Sequence, residues 1–172
     1  MKLSLMGVLA PDDFYTPDNA LHPLLPYVNK NHRIWECADG TGNIVRFFRK
    51  QGFDIFGTDI KNGYDFLTSD RDDFDCIITN PPFSLKDKWL EKCYSYKKPF
   101  ALLLPLTALE GKHRGELYNQ YGIEVIILDG RVQYMGKGNC WFNSSWFCWG
   151  MNLPEKLNFR KLERNCGKME KR

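Results

Sequence analysis

Apolar residues along the chain gather into short, nearly unbroken runs, separated by stretches of helical spacing or by glycine and aspartate. Residues 33–39, "RIWECAD", form the first run, and Gly40-Thr41-Gly42 closes it. The "NIVRFFRK" that follows at 43–50 places its apolar residues at helical intervals, so strand, glycine turn and helix succeed one another as in an α/β unit. Further runs at 54–60 ("DIFGTDI"), 75–79 ("DCIIT"), 100–106 ("FALLLPL"), 124–129 ("EVIILD") and 145–151 ("SWFCWGM") predict more strands. Between two of these, 85–97 carries Trp89, Leu90, Cys93 and Tyr94 at helical spacing, and another helix is predicted around 112–120. Strands this apolar, alternating with helices, belong to a mostly parallel sheet covered on both faces. The pattern predicts one doubly wound α/β domain over 1–153, with no repeat or linker dividing it, followed by a basic segment at 154–172.

Charge changes the picture only locally. The formal charge of +3 is too small to announce a polyanionic partner, but 154–172 holds seven basic and three acidic residues. That excess suits a polyanion, and equally a solvated terminal helix or a frayed end. The six cysteines, Cys37, Cys76, Cys93, Cys140, Cys148 and Cys166, show no CxxC pair, which argues against a zinc site or a disulfide framework and for reduced thiols in a cytoplasmic protein. No apolar run approaches the roughly 20 residues of a membrane span, and no leader pattern opens the chain.

In parallel sheets, ligands sit beyond the carboxyl ends of the strands. The unusual residues gather at that rim: Glu36 and Gly40 to Gly42 after the first strand, Asp59 after the second, and Asn80-Pro81-Pro82-Phe83 after the third. Asp59 lies where a carboxylate accepts hydrogen bonds from both hydroxyls of a ribose. The loop lacks the further glycine of the dinucleotide fingerprint, so a nucleoside cofactor without a pyrophosphate fits better than NAD or FAD. The two prolines stop the strand and remove two backbone donors, leaving a rigid corner.

The motifs "ECADGTGN" at 36–43, "GTDI" at 57–60, "DFL" at 65–67 and "TNPPF" at 79–83 resemble those of S-adenosylmethionine-dependent methyltransferases that modify exocyclic amino groups. Among these the chain is most similar to N6-adenine DNA methyltransferases, including small ones of phage and prophage type. "FYTP" at 14–17, "ALLLPLTALEG" at 101–111 and "NSSWFCWGM" at 143–151 extend the resemblance from about Phe14 to Met151. It implies a seven-stranded Rossmann-like methyltransferase sheet with the last strand antiparallel, S-adenosylmethionine as cofactor and adenine in DNA as substrate. It also implies roles. Gly40 and Gly42 lie against the methionine portion, with Ala38 in the same loop and Glu36 near the ammonium group. Asp59 holds the ribose beside Ile60, while Asp65 and Phe66 contact the adenine. Tyr15, Thr16 and Pro17 close over the methionine end. The Asn80 side-chain oxygen and the Pro81 carbonyl each accept one amino hydrogen of the target, Pro82 stiffens the corner, and Phe83 stacks on the extruded base. This chemistry requires no metal and no nucleophilic side chain. Cys37 and Asp39 depart from the family pattern, which commonly has proline and a small or apolar residue there.

Between 130 and 142, Arg131 and Lys137 alternate with Tyr134, Trp141 and Phe142, a mixture that suits phosphate contact and base stacking. A hairpin whose rings pack on the sheet gives the same pattern. Lys112 and Arg114 form a second basic cluster, read either as a nucleic-acid contact or as a solvated helix face. No dedicated target-recognition domain is evident, so the expectation is loose sequence specificity, or a homodimer or separate partner that supplies it. The same motifs also serve adenine in RNA, cytosine N4, a protein glutamine, or a catalytically silent binding subunit.

Overall fold

The computed structural model describes residues 14–136 and 142–163. The described residues begin with strand β1 (Phe14–Tyr15) and helix α1 (Asp18–Leu21), then alternate β2 (Ile34–Glu36), α2 (Asn43–Lys50), β3 (Ile55–Gly57), β4 (Cys76–Thr79), α3 (Lys86–Ser95), β5 (Phe100–Pro105), α4 (Lys112–Tyr121) and β6 (Glu124–Leu128). Strands β7 (Met135–Gly136), β8 (Ser144–Trp149) and β9 (Leu157–Arg160) follow. Seven strands form one sheet in the order β3-β2-β4-β5-β8-β6-β9, and β1 pairs with β7 in a separate two-stranded ribbon.

The sheet is mostly parallel. β2 is parallel to β3 and β4, β4 to β5, and β6 to β9, while β8 runs antiparallel to both β5 and β6. Both faces are covered, as the apolar runs require. Side chains alternate between two cores: Ile34, Trp146 and Cys148 lie in one with Phe47 and Phe48 of α2, and Trp35 and Phe147 in the other with Trp89 and Leu90 of α3. Buried indole groups are paired, Trp35 Nε1 donating to Thr58 Oγ1 (2.8 Å) and Trp146 Nε1 to the Ala20 carbonyl (2.7 Å). Among the described residues no helix is long and apolar enough to cross a membrane.

One expectation about the sheet changes. The antiparallel strand is not the last, because β9, drawn from the segment set apart as a basic tail, follows it at the sheet edge. Its outward residues are apolar, Leu157 and Phe159 being 52% and 68% exposed, whereas the inward one is Asn158. This inverts the pattern that marks a half-buried strand. Backbone pairing holds it instead, with Val125 N–H donating to the Lys156 carbonyl (2.8 Å) and Asp129 N–H to that of Arg160 (3.0 Å). Asn158 satisfies its own amide on the Glu155 carbonyl at 2.6 Å.

Trp35 sits at the centre of a ring cluster with Phe56, Tyr64, Phe66 and Phe74. Trp35→Ala is expected to cost about 3–5 kcal/mol and to lower the thermal midpoint by roughly 10 °C. A melting curve matching that of the wild type would show that this cluster does not anchor the second core.

Candidate active site

Because β2, β3 and β4 are parallel neighbours, their carboxyl ends open side by side. After β2 the chain turns through Gly40 and Gly42, both left-handed (φ +55° and +79°), and Gly42 leads directly into α2. A second close approach shapes this loop. The Asp39 carboxylate lies over Gly57 at the end of β3, where an added Cβ would come within 2.3 Å of Asp39 Oδ2. Asp59 ties the two strand ends together, Oδ2 accepting from Gly40 N–H and Oδ1 from Lys61 N–H, each at 2.8 Å.

These ends enclose a cavity of about 210 Å³. Of the residues expected at the site, Tyr15, Thr16, Ala38, Gly40, Asp59, Ile60, Asn80 and Pro82 line it. Phe14, Asp39, Thr41, Asn43, Ile44 and Lys61 line it as well, although the sequence reading assigned them no role. Phe14 stands in "FYTP" and Asp39, Thr41 and Asn43 in "ECADGTGN", so membership of those motifs was the available signal.

Glu36 lies behind this wall, fully buried. Its Oε1 accepts from Ala38 N–H (2.8 Å) and from the Thr79 hydroxyl, while Oε2 is buried without a partner. Burial pushes its carboxyl up to about 8, against the two hydrogen bonds that favour the anion. The Asp39 carboxyl is raised too, by burial and then by the charge of Asp59, with Arg46 and Arg49 opposing. Asp39 Oδ1 is also buried and unpartnered.

At the end of β4 the Asn80 Nδ2 amide donates to the Phe14 carbonyl at 2.7 Å, and its Oδ1 is buried with no partner. The side-chain amide is thereby oriented with its acceptor uncommitted. Pro81 is buried, and the Pro82 carbonyl accepts from Leu85 N–H (3.0 Å), which pins the turn into α3. Phe83 is not the open shelf expected of it. Its ring is 8% exposed, stacked against Phe14 (centroids 5.4 Å apart, planes at 21°) and met edge-on by Phe142 and Tyr134. Phe14 reaches it because β1 pairs with β7, bringing the start of the described chain over the corner.

Other expected contacts are absent from the cavity wall. Asp65 caps its own turn, Oδ1 accepting from Leu67 N–H at 2.9 Å. Phe66 is 2% exposed and stacks on Trp89 at 4.2 Å in the second core. Pro17 is buried and precedes α1, and Gly42 faces Arg46. Arg114 is committed within the fold, donating to Asp87 Oδ1 (2.5 Å) and the Ala108 carbonyl (3.0 Å). Lys112 and Arg131 are exposed, and Lys137 and Trp141 lie outside the described residues.

The raised Glu36 carboxyl has a measurable consequence. It stays protonated in the folded chain towards pH 8 but ionises in the ordinary carboxylate range once unfolded. Its contribution to stability is therefore complete below that range and is lost as pH rises towards 8. Glu36→Gln, which keeps the shape without titrating, is expected to gain on the wild type by a few kcal/mol between about pH 5 and pH 8 in denaturant titrations. Parallel pH profiles for the two proteins would contradict the assignment.

No protein-family model matches the chain, and no curated protein matches its sequence. Solved structures do resemble its fold. A type I restriction-modification methyltransferase subunit from Streptococcus thermophilus superposes with a TM-score of 0.62 at 16% identity, over 87% of this chain and 47% of that one. A protein named as a modification subunit of a type I restriction enzyme from Vibrio vulnificus gives 0.56 at 14%, over 90% and 48%. One named as a class I S-adenosylmethionine-dependent methyltransferase from Listeria monocytogenes gives 0.59 at 14%, over 90% and 67%. The chain thus spans about half the length of the first two. What it shares with all three is the fold, and the cavity lies at the carboxyl ends of this chain's own parallel strands.

Proposed function

We propose that this protein transfers the methyl group of S-adenosylmethionine to an exocyclic amine, the N6 of adenine in DNA. The observation that carries the reading is the Asn80 side chain, which lines the cavity beside two prolines with its amide donating to the Phe14 carbonyl and its oxygen buried without a partner. An amine on a heteroaromatic ring is a poor nucleophile, because its lone pair is delocalised. Acceptors at Asn80 Oδ1 and the Pro81 carbonyl favour a nitrogen that becomes tetrahedral and gains positive charge. The fixed corner holds them there without reorganisation.

The residues present fit the cofactor. Asp59 offers a carboxylate for ribose hydroxyls, and Ile60, 68% exposed, offers an apolar face beside it. Asp39, on the cavity wall, has a carboxyl oxygen with no partner within the protein, the kind of acceptor an ammonium group requires, and Glu36 lies buried behind it. Tyr15 and Thr16 line the same cavity. When bound, S-adenosylmethionine supplies an electrophilic methyl group on a sulfonium centre.

DNA is favoured over RNA by the names of two structural neighbours, which place them in restriction-modification systems. Of the candidate cations, Lys112 and Arg131 are exposed and available for phosphate contact, and loose base discrimination is expected because the stretch from Asp65 to Asn80 leaves no room for a dedicated recognition domain. A second copy or a separate specificity partner would sharpen it. The described cysteines are free and buried, which suits a cytoplasmic setting. One observation favours a second reading, a silent binding subunit: the covered face of Phe83.

Asn80→Ala is expected to lower methyl transfer to adenine-unmethylated DNA about 100- to 1000-fold, while calorimetric affinity for S-adenosylmethionine changes little. A variant as fast as the wild type would remove the amide from the mechanism. A wild type that binds the cofactor but transfers nothing would favour the silent reading.

A further inference from the structure

Phe14 holds two positions at once. Its carbonyl orients Asn80 (2.7 Å), and its ring lies on the face of Phe83 (5.4 Å, 21°). We propose that the Phe14 ring is a displaceable plug, standing where the target base stacks and swinging aside when the base enters. The proposal rests on the reading of Phe83 as the surface that receives that base.

The packing around the ring supports this. The other approaches to Phe83 are taken by Phe142 (5.3 Å) and Tyr134 (6.2 Å), both edge-on, so the stacked face under Phe14 is the one that matches the geometry of a purine lying flat. Phe14 itself is only partly buried, so its side chain has somewhere to go. The backbone is better anchored than the ring. β1 is paired with β7 through Phe14↔Gly136 and Tyr15↔Met135, Thr16 is 3% exposed, and Ala20 and Leu21 of α1 are in the core. A rotation about the side chain therefore clears the slot and leaves the carbonyl on Asn80. Base entry and clamp geometry are separable in this arrangement.

Base-on-ring stacking is at least as strong as an aromatic pair, so exchanging one for the other is near balance or favourable. The plug still lowers apparent affinity, because a base binds only to the fraction of molecules whose ring has moved. It also keeps an apolar slot from standing open to water.

The test places para-fluorophenylalanine at position 14 and follows its fluorine resonance during titration with a short oligodeoxyadenylate. An abasic oligonucleotide of the same length is the control, with saturation established by fluorescence anisotropy. The resonance is expected to move towards its solvent-exposed position with the adenylate and to stay put with the abasic strand. Phe14→Ala is expected to bind the adenylate about two- to tenfold more tightly, with abasic binding unchanged, and Phe14→Leu to fall between. A resonance unmoved at saturation, or an alanine variant that binds no more tightly, overturns the plug. If the wild type methylates DNA adenine while the resonance stays fixed, the plug fails alone. If the adenylate does not bind at all, the amino-methylation reading and the plug fail together.

Discussion

A single hydrogen bond, from the Asn80 side-chain amide to the Phe14 carbonyl, joins positions 66 residues apart and sets the polarity of the site. An asparagine amide has donors and an acceptor, and in isolation either could face the cavity. Committing the donor end to the backbone leaves the oxygen as the group on offer. That choice needs β1 to lie over the end of β4, which in turn needs the β1–β7 ribbon and the covered sheet beneath it. The clamp is therefore a product of the whole fold rather than of four consecutive residues.

The rim carries further cost of the same kind. Seven side-chain oxygens and nitrogens among the described residues are buried without a partner, and three of them, on Glu36, Asp39 and Asn80, gather at the carboxyl ends of β2 and β4. Each such group costs about 1–3 kcal/mol when left unpaired. Concentrating them beside one cavity is what a site with its own polar ligand would do, and the stapling of Gly40 to Asp59 keeps the loop from collapsing onto them. The protonated carboxyl of Glu36 lessens the charge that would otherwise be buried there.

Much of this was legible in the chain, for reasons that also explain the failures. Parallel strands buried on both faces announce themselves as apolar runs, so β2 through β6 and β8 were each anticipated near their observed positions. Asn80-Pro81 and Asp59 are held by backbone geometry at strand ends, which local sequence specifies well. β9 was missed because its edge position is held by backbone pairing and by an inward Asn158. Asp65 and Phe66 turned out to be a turn cap and a core ring, since an aspartate before an aromatic serves either purpose and only tertiary packing on Trp89 decides. Nothing in "FYTP" shows that the first ring folds back 69 positions down the chain onto Phe83, because that contact depends on a two-residue ribbon formed with Met135 and Gly136. Arg114 read as a surface cation until its ion pair with Asp87 was visible.

The most direct test asks which atom receives the methyl group. DNA and RNA would be incubated separately with the protein and S-adenosylmethionine bearing a deuterated methyl group, then digested to nucleosides and examined by mass spectrometry. The expected product is deuterated N6-methyldeoxyadenosine, from DNA and dependent on active protein. Label in cytosine N4, in RNA alone, or in no nucleoside at all would contradict the assignment of the Asn80 corner to adenine in DNA.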